Sequence, residues 1–146
     1  MSTMTVEEIM SSDVDYVPTD TTLAEAARHM KDRDCGFLPL GDDPQGKLQG
    51  VVTDRDIVIR GVAEGRDVNS ATVNEVKTDR VLYCYQNDNV ADAAYSMRDQ
   101  HVNRLIVLDN EQNKKLCGII TLGDILRRCD DLELASETAR GIKSAA

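Results

Sequence analysis

The chain repeats itself, and the clearest copy is a segment near the end of each half. GVVTDRDIVIR occupies residues 50–60 and GIITLGDILRR occupies residues 118–128. Both segments read Gly, two β-branched residues, Thr, two variable residues, Asp, an apolar pair, one variable residue and Arg. A match of this length within 146 residues indicates a tandem duplication, so the fold must be built from two similar units.

The match extends through most of both halves, at an offset of 67 residues that becomes 68 after one inserted turn residue. We divide the chain into repeat 1 (1–66), repeat 2 (67–130) and a tail (131–146) that helical spacing favours as a terminal helix. Two copies are too few for a solenoid. We therefore predict one compact module of two similar lobes about a pseudo-twofold axis. Matched pairs include Ala27 with Ala94, Met30 with Met97, and Ile57 with Ile125.

Each repeat predicts the same order of elements, α-β-α-β-β-α, in a mixed α/β (α+β) fold. The capping boxes TVEE (5–8) and TVNE (72–75) each begin a short helix. Alternating and apolar runs then predict three strands, and the Ala-rich stretches predict the second helix. The strands are expected at 14–17, 37–40 and 48–53, and at 81–85, 104–108 and 116–121; the second helices at 22–33 and 89–100; the closing helices at 54–63 and 122–131.

Composition excludes several classes of function. The net charge of −9 and the lack of a Lys/Arg block argue against nucleic-acid binding. No apolar run is long enough to span a membrane, and no basic segment leads into an apolar one at the N-terminus, so we expect a cytoplasmic protein without membrane contact. The scattered cysteines predict reduced thiols rather than disulfides. No metal-ligand spacing and no nucleophile–base arrangement occurs, so we expect no metal, no required cofactor and no catalysis.

The Thr and Asp of the doubled segment allow two interpretations. Thr53 with Asp56, like Thr121 with Asp124, has the spacing of a capping box and so of a purely structural feature. The same groups suit a ligand, because a carboxylate can accept two hydrogen bonds from a ribose diol and a Thr hydroxyl can donate to a phosphate. Gly50 permits close approach of either backbone or ligand. The residues alone leave both interpretations open.

The arrangement resembles a tandem pair of CBS domains, also called a Bateman module, and specifically the small stand-alone prokaryotic type. The resemblance covers about residues 5–129 and is carried by the opening helices, TTLAEAARHM, CGFLPL and the doubled Gly-Thr-Asp segment. It implies clefts between the repeats that take AMP, ADP, ATP or S-adenosylmethionine. Asp56 and Asp124 would hold ribose hydroxyls, and Thr53 and Thr121 would contact ribose or phosphate. The adenine pockets would be lined by Tyr16, Val17, Pro18, Phe37, Leu38 and Pro39, and by Tyr83, Cys84, Tyr85, Arg104, Leu105 and Ile106.

The two copies differ at positions that bear on binding. Arg55 precedes Asp56, whereas Gly123 precedes Asp124, and Phe37 matches Arg104. Either Arg is a possible phosphate donor, although an arbitrary Arg is usually a solvated surface residue. The second copy also departs from the family at Ile106, where the first has Pro39. These differences favour the first cleft as the nucleotide site.

We therefore predict a non-catalytic, energy-sensing regulatory module that binds an adenosine nucleotide in one or both clefts. Binding would shift its conformation or association, which an unknown effector protein reads. The resemblance further implies a homodimer. The main alternative is a structural or protein-interaction module whose clefts stay empty. An enzyme acting on a nucleotide is a weaker alternative, because the sequence offers neither a nucleophile–base pair nor a P-loop.

Overall fold

The chain forms two compact units, and one of them is discontinuous in sequence. The computed structural model describes residues 3–43, 47–78 and 81–143. The central unit is Asp15–Val81, and the split unit combines Met1–Val14 with Leu82–Ala146. Residues 44–46 of the predicted turn and 144–146 of the tail lie outside the described residues. None of the helices in the described ranges has both the length and the hydropathy that a membrane crossing requires.

The central unit packs helices against a two-stranded antiparallel sheet. Its register pairs Phe37 with Thr53 and Leu40 with Gly50. Leu23, Leu38 and Val52 lie in its buried core. The elements are α2 (Leu23–Arg33), β1 (Phe37–Leu40), β2 (Gly50–Thr53), α3 (Asp54–Asp56), a π-helical turn (Ile57–Val62) and α4 (Val73–Val76).

The split unit has a larger sheet, of three strands. Its elements are α1 (Val6–Ile9), β3 (Tyr83–Tyr85), α5 (Val90–Gln100), β4 (Arg104–Leu108), β5 (Leu116–Thr121), α6 (Leu122–Arg128) and α7 (Leu132–Lys143). The sheet has the strand order β3-β4-β5, in which β3 is parallel to β4, and β4 is antiparallel to β5 with an irregularity at Val107 and Leu108. The tail forms the predicted terminal helix, α7, which packs against α5 and α6.

Local sequence signals account for the helix boundaries. Thr22 accepts a hydrogen bond from the Glu25 amide at 3.2 Å, and Glu25 accepts one from the Thr22 amide at 3.3 Å, so α2 begins with a capping box. The residue after each of these helices, Asp34 after α2 and the matching His101 after α5, caps the helix in the left-handed region (φ 52° and 56°). Asn89 caps α5 by accepting a hydrogen bond from the Ala91 amide at 2.8 Å.

The opening helix of each sequence repeat packs with the body of the other repeat. Val6 of α1 is fully buried in the same cluster as Ile120 and Ile125. Val73 of α4 is fully buried in the same cluster as Leu23 and Val52. The sequence repeats 1–66 and 67–130 thus describe the duplication, whereas the compact units are completed by an exchange of opening helices.

The strand predicted at 14–17 is wrong, because only Val17 pairs with the sheet, through a single bridge to Leu40. The physical reason is Pro39. A parallel ladder continued one step towards Asp15 would need an N–H at position 39, and proline has none. In the second copy, the amide of Ile106 donates to the Leu82 carbonyl at 3.1 Å. That bond accompanies a β3 strand, which covers only Tyr83–Tyr85 of the predicted 81–85.

Candidate functional site

The doubled segment forms the same capping box at both strand–helix junctions. The Asp56 amide donates to Thr53 Oγ1 at 3.0 Å, and the Thr53 amide donates to Asp56 Oδ2 at 3.0 Å. The matching distances for Asp124 and Thr121 are 3.1 and 2.9 Å. Both predicted capping boxes are therefore present, and any ligand must bind to groups that already cap a helix.

The two carboxylates differ in what their second oxygen meets. Asp124 Oδ1 accepts a hydrogen bond from Arg127 Nη2 at 3.3 Å, and its side chain is 4 % exposed. Asp56 Oδ1 lies 4.0 Å from Arg60 Nε and 3.5 Å from the hydroxyl of Thr78, and its side chain is 12 % exposed. Asp56 therefore has an oxygen that is more available to a ligand donor than either oxygen of Asp124.

The glycines that begin the doubled segment serve backbone contacts. Gly50 has φ +147°, and a Cβ there would lie 3.0 Å from the Thr78 carbonyl oxygen. A Cβ on Gly118 would lie 2.5 Å from the Ser11 carbonyl oxygen. Ser11 and Thr78 follow the opening helices α1 and α4, and each pairs with the residue after the glycine (Ile119 and Val51). The sequence allowed a close approach to Gly50 by either backbone or ligand, and the structure shows a close approach by backbone.

Thr78 also contacts the first carboxylate, which the sequence did not indicate. Its Oγ1 donates to Asp56 Oδ2 at 3.2 Å, so Asp56 is held by an element of the other sequence repeat. Its repeat mate is Ser11. The recurrence of a hydroxyl residue three positions after each capping-box Glu is the signal that could have drawn attention to this position.

The other residues predicted near the first junction lie in the central unit. Phe37 is half-buried and stands opposite Thr53 in the β1–β2 register, so the structure brings these two predicted residues together. Tyr16 packs near Gly41, and its hydroxyl is buried without a hydrogen-bond partner among the described residues. Both Arg55 and Pro18 are exposed. The three remaining predicted residues are buried, so they could form only the inner wall of a pocket: Val17, Leu38 and Pro39.

At the second junction the register places Arg104 opposite Thr121. The side chains of Leu105 and Ile106 are buried. Burial, with a contribution from the Asp88 carboxylate, raises the pKa of the Cys84 thiol to about 12, which keeps it a neutral core group.

An aromatic pair marks the surface of β3. The rings of Tyr83 and Tyr85 meet edge to face at 5.7 Å, and Lys114 Nζ lies 5.6 Å from the Tyr83 ring centre. Desolvation and the Tyr83 hydroxyl raise the pKa of Tyr85.

Within residues 3–43, 47–78 and 81–143, no three His, Cys, Asp or Glu side chains converge to hold a metal ion.

Two α/β units, each with a Gly-Thr-Asp strand–helix junction and an exchanged opening helix, define a tandem-repeat module built by duplication. A model of the CBS domain matches residues 6–62 and again residues 73–131. The chain therefore belongs to the CBS domain family, as its resemblance predicted, and carries two CBS domains in tandem.

Relatives of similar size exist among known proteins. Hypoxic response protein 1 of Mycobacterium tuberculosis is 39% identical over 124 residues, which cover 84% of this chain and 83% of that protein. A crystal structure of Hypoxic Response Protein I with two coordinated zinc ions aligns with a TM-score of 0.72 at 38% identity, covering 85% of this chain and 98% of that one.

Two further solved structures contain adenosine compounds. The CBS domain pair of protein MJ0100, in complex with 5-methylthioadenosine and S-adenosyl-L-methionine, has a TM-score of 0.71 at 27% identity and covers 85% of this chain and 94% of that one. CBSX2 in complex with AMP has a TM-score of 0.70 at 26% identity and covers 84% of this chain and 93% of that one.

Proposed function

We propose that this chain is a non-catalytic regulatory module that binds an adenosine nucleotide or S-adenosylmethionine. The observation that carries the proposal is the pairing of this fold with adenosine compounds in two solved relatives. The Thr and Asp that the family resemblance assigns to the ribose and phosphate are both present in each doubled segment of this chain. Metabolite binding would act by shifting a population of conformations or of associated chains.

We propose the Thr53–Asp56 junction as the principal site. Three observations support this choice. Asp56 is more exposed than Asp124, and its Oδ1 meets only a long contact from Thr78 Oγ1 at 3.5 Å and a distant cation. Arg55 supplies an exposed guanidinium one residue before the carboxylate, at a position occupied by Gly123 in the second copy. A guanidinium and a carboxylate at neighbouring positions suit the phosphate and the ribose of one nucleotide.

Calorimetric titration of the pure protein with AMP, ADP, ATP and S-adenosylmethionine tests this proposal. Asp56→Asn keeps an acceptor for the Thr53 amide but removes the charge, and Asp124→Asn is the matched control at the second junction. We expect one of the four compounds to bind wild type and the control with equal affinity and to bind Asp56→Asn at least about tenfold more weakly. Loss of binding in Asp124→Asn alone would move the site to the second junction.

The alternative function is a structural or protein-interaction module whose sites stay empty. The observation that favours it is that both Thr–Asp pairs already form capping boxes, which would explain their presence without a ligand. A ligand that binds only the folded state raises the melting temperature. If none of the four compounds binds or raises it, this alternative stands.

We also propose that two copies associate and that an effector protein reads the bound state, in the cytoplasm. Three large apolar side chains of the split unit are exposed, Tyr95, Leu126 and Leu132, and they support association because exposed apolar surface is commonly buried at a contact between chains. Sedimentation velocity with and without the bound nucleotide tests this part of the proposal. A monomer under both conditions would contradict it.

A further inference from the structure

The C-terminal helix α7 covers one face of the split unit. It packs against α5 and α6, and residues 129–131 connect it to the end of α6. Ala94 of α5 is 0 % exposed and lies in the same buried cluster as Ala135 of α7. This face of α5 is therefore buried because α7 lies on it.

The side chains that α7 buries are small. Ala135 and Thr138 are buried at 3 % and 2 % exposure, whereas the larger Leu134 and Ile142 pack against the core cluster while only partly buried. The Thr138 hydroxyl donates to the Leu134 carbonyl at 2.6 Å, so this bond stays within α7. Because little apolar surface is buried, α7 is held less firmly than α5, whose buried residues include large ones.

The central unit shows that a unit of this kind keeps its core buried when the matching helix position is open. Ala27 occupies the repeat position of Ala94 and is exposed. Met30 and Ile57 remain buried nonetheless, at 5 % and 7 % exposure. The split unit should therefore stay folded when α7 moves away from α5, so that the opening is local.

Beside the covered face, α5 carries an exposed stripe that is complementary to itself. Asp92, Tyr95 and Arg98 are exposed, and their i, i+3, i+6 spacing places them on one side of the helix. The two ends have opposite charges, and the central Tyr95 is 67 % exposed. Two antiparallel α5 helices related by a twofold axis would place Asp92 of each chain opposite Arg98 of the other.

α7 lies against one end of this stripe. A Cβ on Gly141 would meet the Arg98 side chain, so the stem of Arg98 packs on α7 where the glycine leaves room for it. α7 also covers Ala94, the neighbour of Tyr95 in sequence. A docked α7 therefore occupies space that a second α5 helix would need.

We propose that α7 is an autoinhibitory cover. It turns away about residues 129–131, uncovers the face of α5 and thereby allows a second copy to pair through the Asp92–Tyr95–Arg98 stripe. This inference rests on the self-association proposed above, and it adds the contact and the element that controls it. Release of Arg98 from α7 supplies the cation that the contact between the two chains needs.

Two variants of α7 introduce the same charge on opposite faces. Ala135→Glu places a carboxylate against the apolar core, and Ser136→Glu places one at an exposed position. We expect Ala135→Glu to speed amide hydrogen exchange in residues 132–143 at least about tenfold and to leave residues 90–100 within about threefold of wild type. Sedimentation velocity should show a larger assembly for Ala135→Glu than for wild type. Ser136→Glu should match wild type in both measurements.

Two further variants separate undocking from misfolding and from aggregation. Gly141→Ala pushes α7 away from Arg98, and it should also speed exchange in residues 132–143. Adding Arg98→Ala removes the clash and should restore their protection. Asp92→Arg, added to Ala135→Glu, brings like charges together across the twofold contact. That double variant should return to the assembly of wild type while α7 stays undocked.

Three results would overturn the proposal. Loss of protection in residues 90–100 in both undocking variants would show that α7 is an integral part of the fold. An undocked α7 with an unchanged assembly would show that α5 does not pair. A larger assembly that Asp92→Arg leaves intact would place the contact elsewhere. A monomeric wild type counts against the self-association proposed above, whereas the difference between wild type and Ala135→Glu decides the role of α7.

Discussion

Arg128 Nη1 donates a hydrogen bond to the carbonyl oxygen of Ile9 at 3.2 Å, although the two residues are 119 positions apart. The same atom donates to the Met10 carbonyl at 3.3 Å. Its repeat mate Arg60 makes the equivalent bonds to Val76 and Lys77 at 3.4 and 3.1 Å. Each Arg thus satisfies the last carbonyls of an opening helix that has only four residues and depends on outside partners. The Arg that closes the doubled segment holds the exchanged helices in place.

Removing this contact should destabilise the fold. Arg128→Ala and Arg60→Ala each leave two carbonyl groups without their charged donor, and we expect each to lower the free energy of unfolding by about 1–2 kcal/mol. Arg140→Ala, at an exposed position of α7, is the control and should change it by less than about 0.5 kcal/mol. Urea denaturation gives the values. Equal effects at positions 128 and 140 would contradict the assigned role.

Substituting the glycine that begins the doubled segment should destabilise the packing of the exchanged opening helix more than substituting the arginine that closes it. A Cβ on Gly118 would lie 2.5 Å from a backbone oxygen, so Gly118→Ala must displace the segment around Ser11. We expect a loss of about 2 kcal/mol or more and faster amide exchange in residues 5–11. Gly65→Ala is the control, because position 65 has space around it and only a positive φ of 78°. We expect Gly65→Ala to lower the free energy of unfolding by about 1 kcal/mol and to leave amide hydrogen exchange in residues 5–11 unchanged.

The sequence predicts the features that local chemistry dictates. Ala-rich composition places α2 and α5, and the match between Asp56 and Asp124 reveals the duplicated junction. The exchange of α1 and α4 could not be predicted, because two similar repeats offer the same partners and the alignment does not say which copy a helix joins. The strand predicted at 14–17 does not form because Pro39 lacks an N–H. The sequence could not show this, because the parallel pairing of this segment with β1 had to be known first. The contact between Thr78 and Asp56 depends on that same exchange.

Pro39 can be tested directly as the reason that the central unit has two strands. Pro39→Val restores an N–H at a buried position of similar volume, and we expect its amide to be protected from hydrogen exchange through a new bond to the Asp15 carbonyl. The Ile106 amide, which already donates to Leu82, is the reference in the same sample. The reverse change, Ile106→Pro, should destabilise the split unit by about 3 kcal/mol. Rapid exchange at position 39 would show that proline is not what ends the pairing.

Thr78 follows the exchanged helix α4, so it provides a test of whether that helix supports the proposed nucleotide site. Its hydroxyl donates to Asp56 Oδ2, so Thr78→Val should leave that carboxylate less well oriented. We expect the affinity for the bound nucleotide to fall about three- to tenfold. Ser11→Ala, at the matching position of the split unit, should leave it unchanged. Calorimetric titration measures both variants. Equal affinities of Thr78→Val and wild type would mean that Asp56 is positioned by its capping box alone.

Cys84 should make the stability of the protein depend on alkaline pH. Its thiol pKa rises from 9.0 to about 12 on folding, so above about pH 9 the unfolded chain releases a proton that the folded chain retains. The unfolded state is thereby favoured, and this contribution to stability is complete below pH 9 and decreases as pH rises towards 12. Urea denaturation between about pH 8 and about pH 10 should show a smaller decline for Cys84→Ala than for wild type. Because the other titrating groups are common to both proteins, identical slopes would mean that Cys84 titrates normally in the fold.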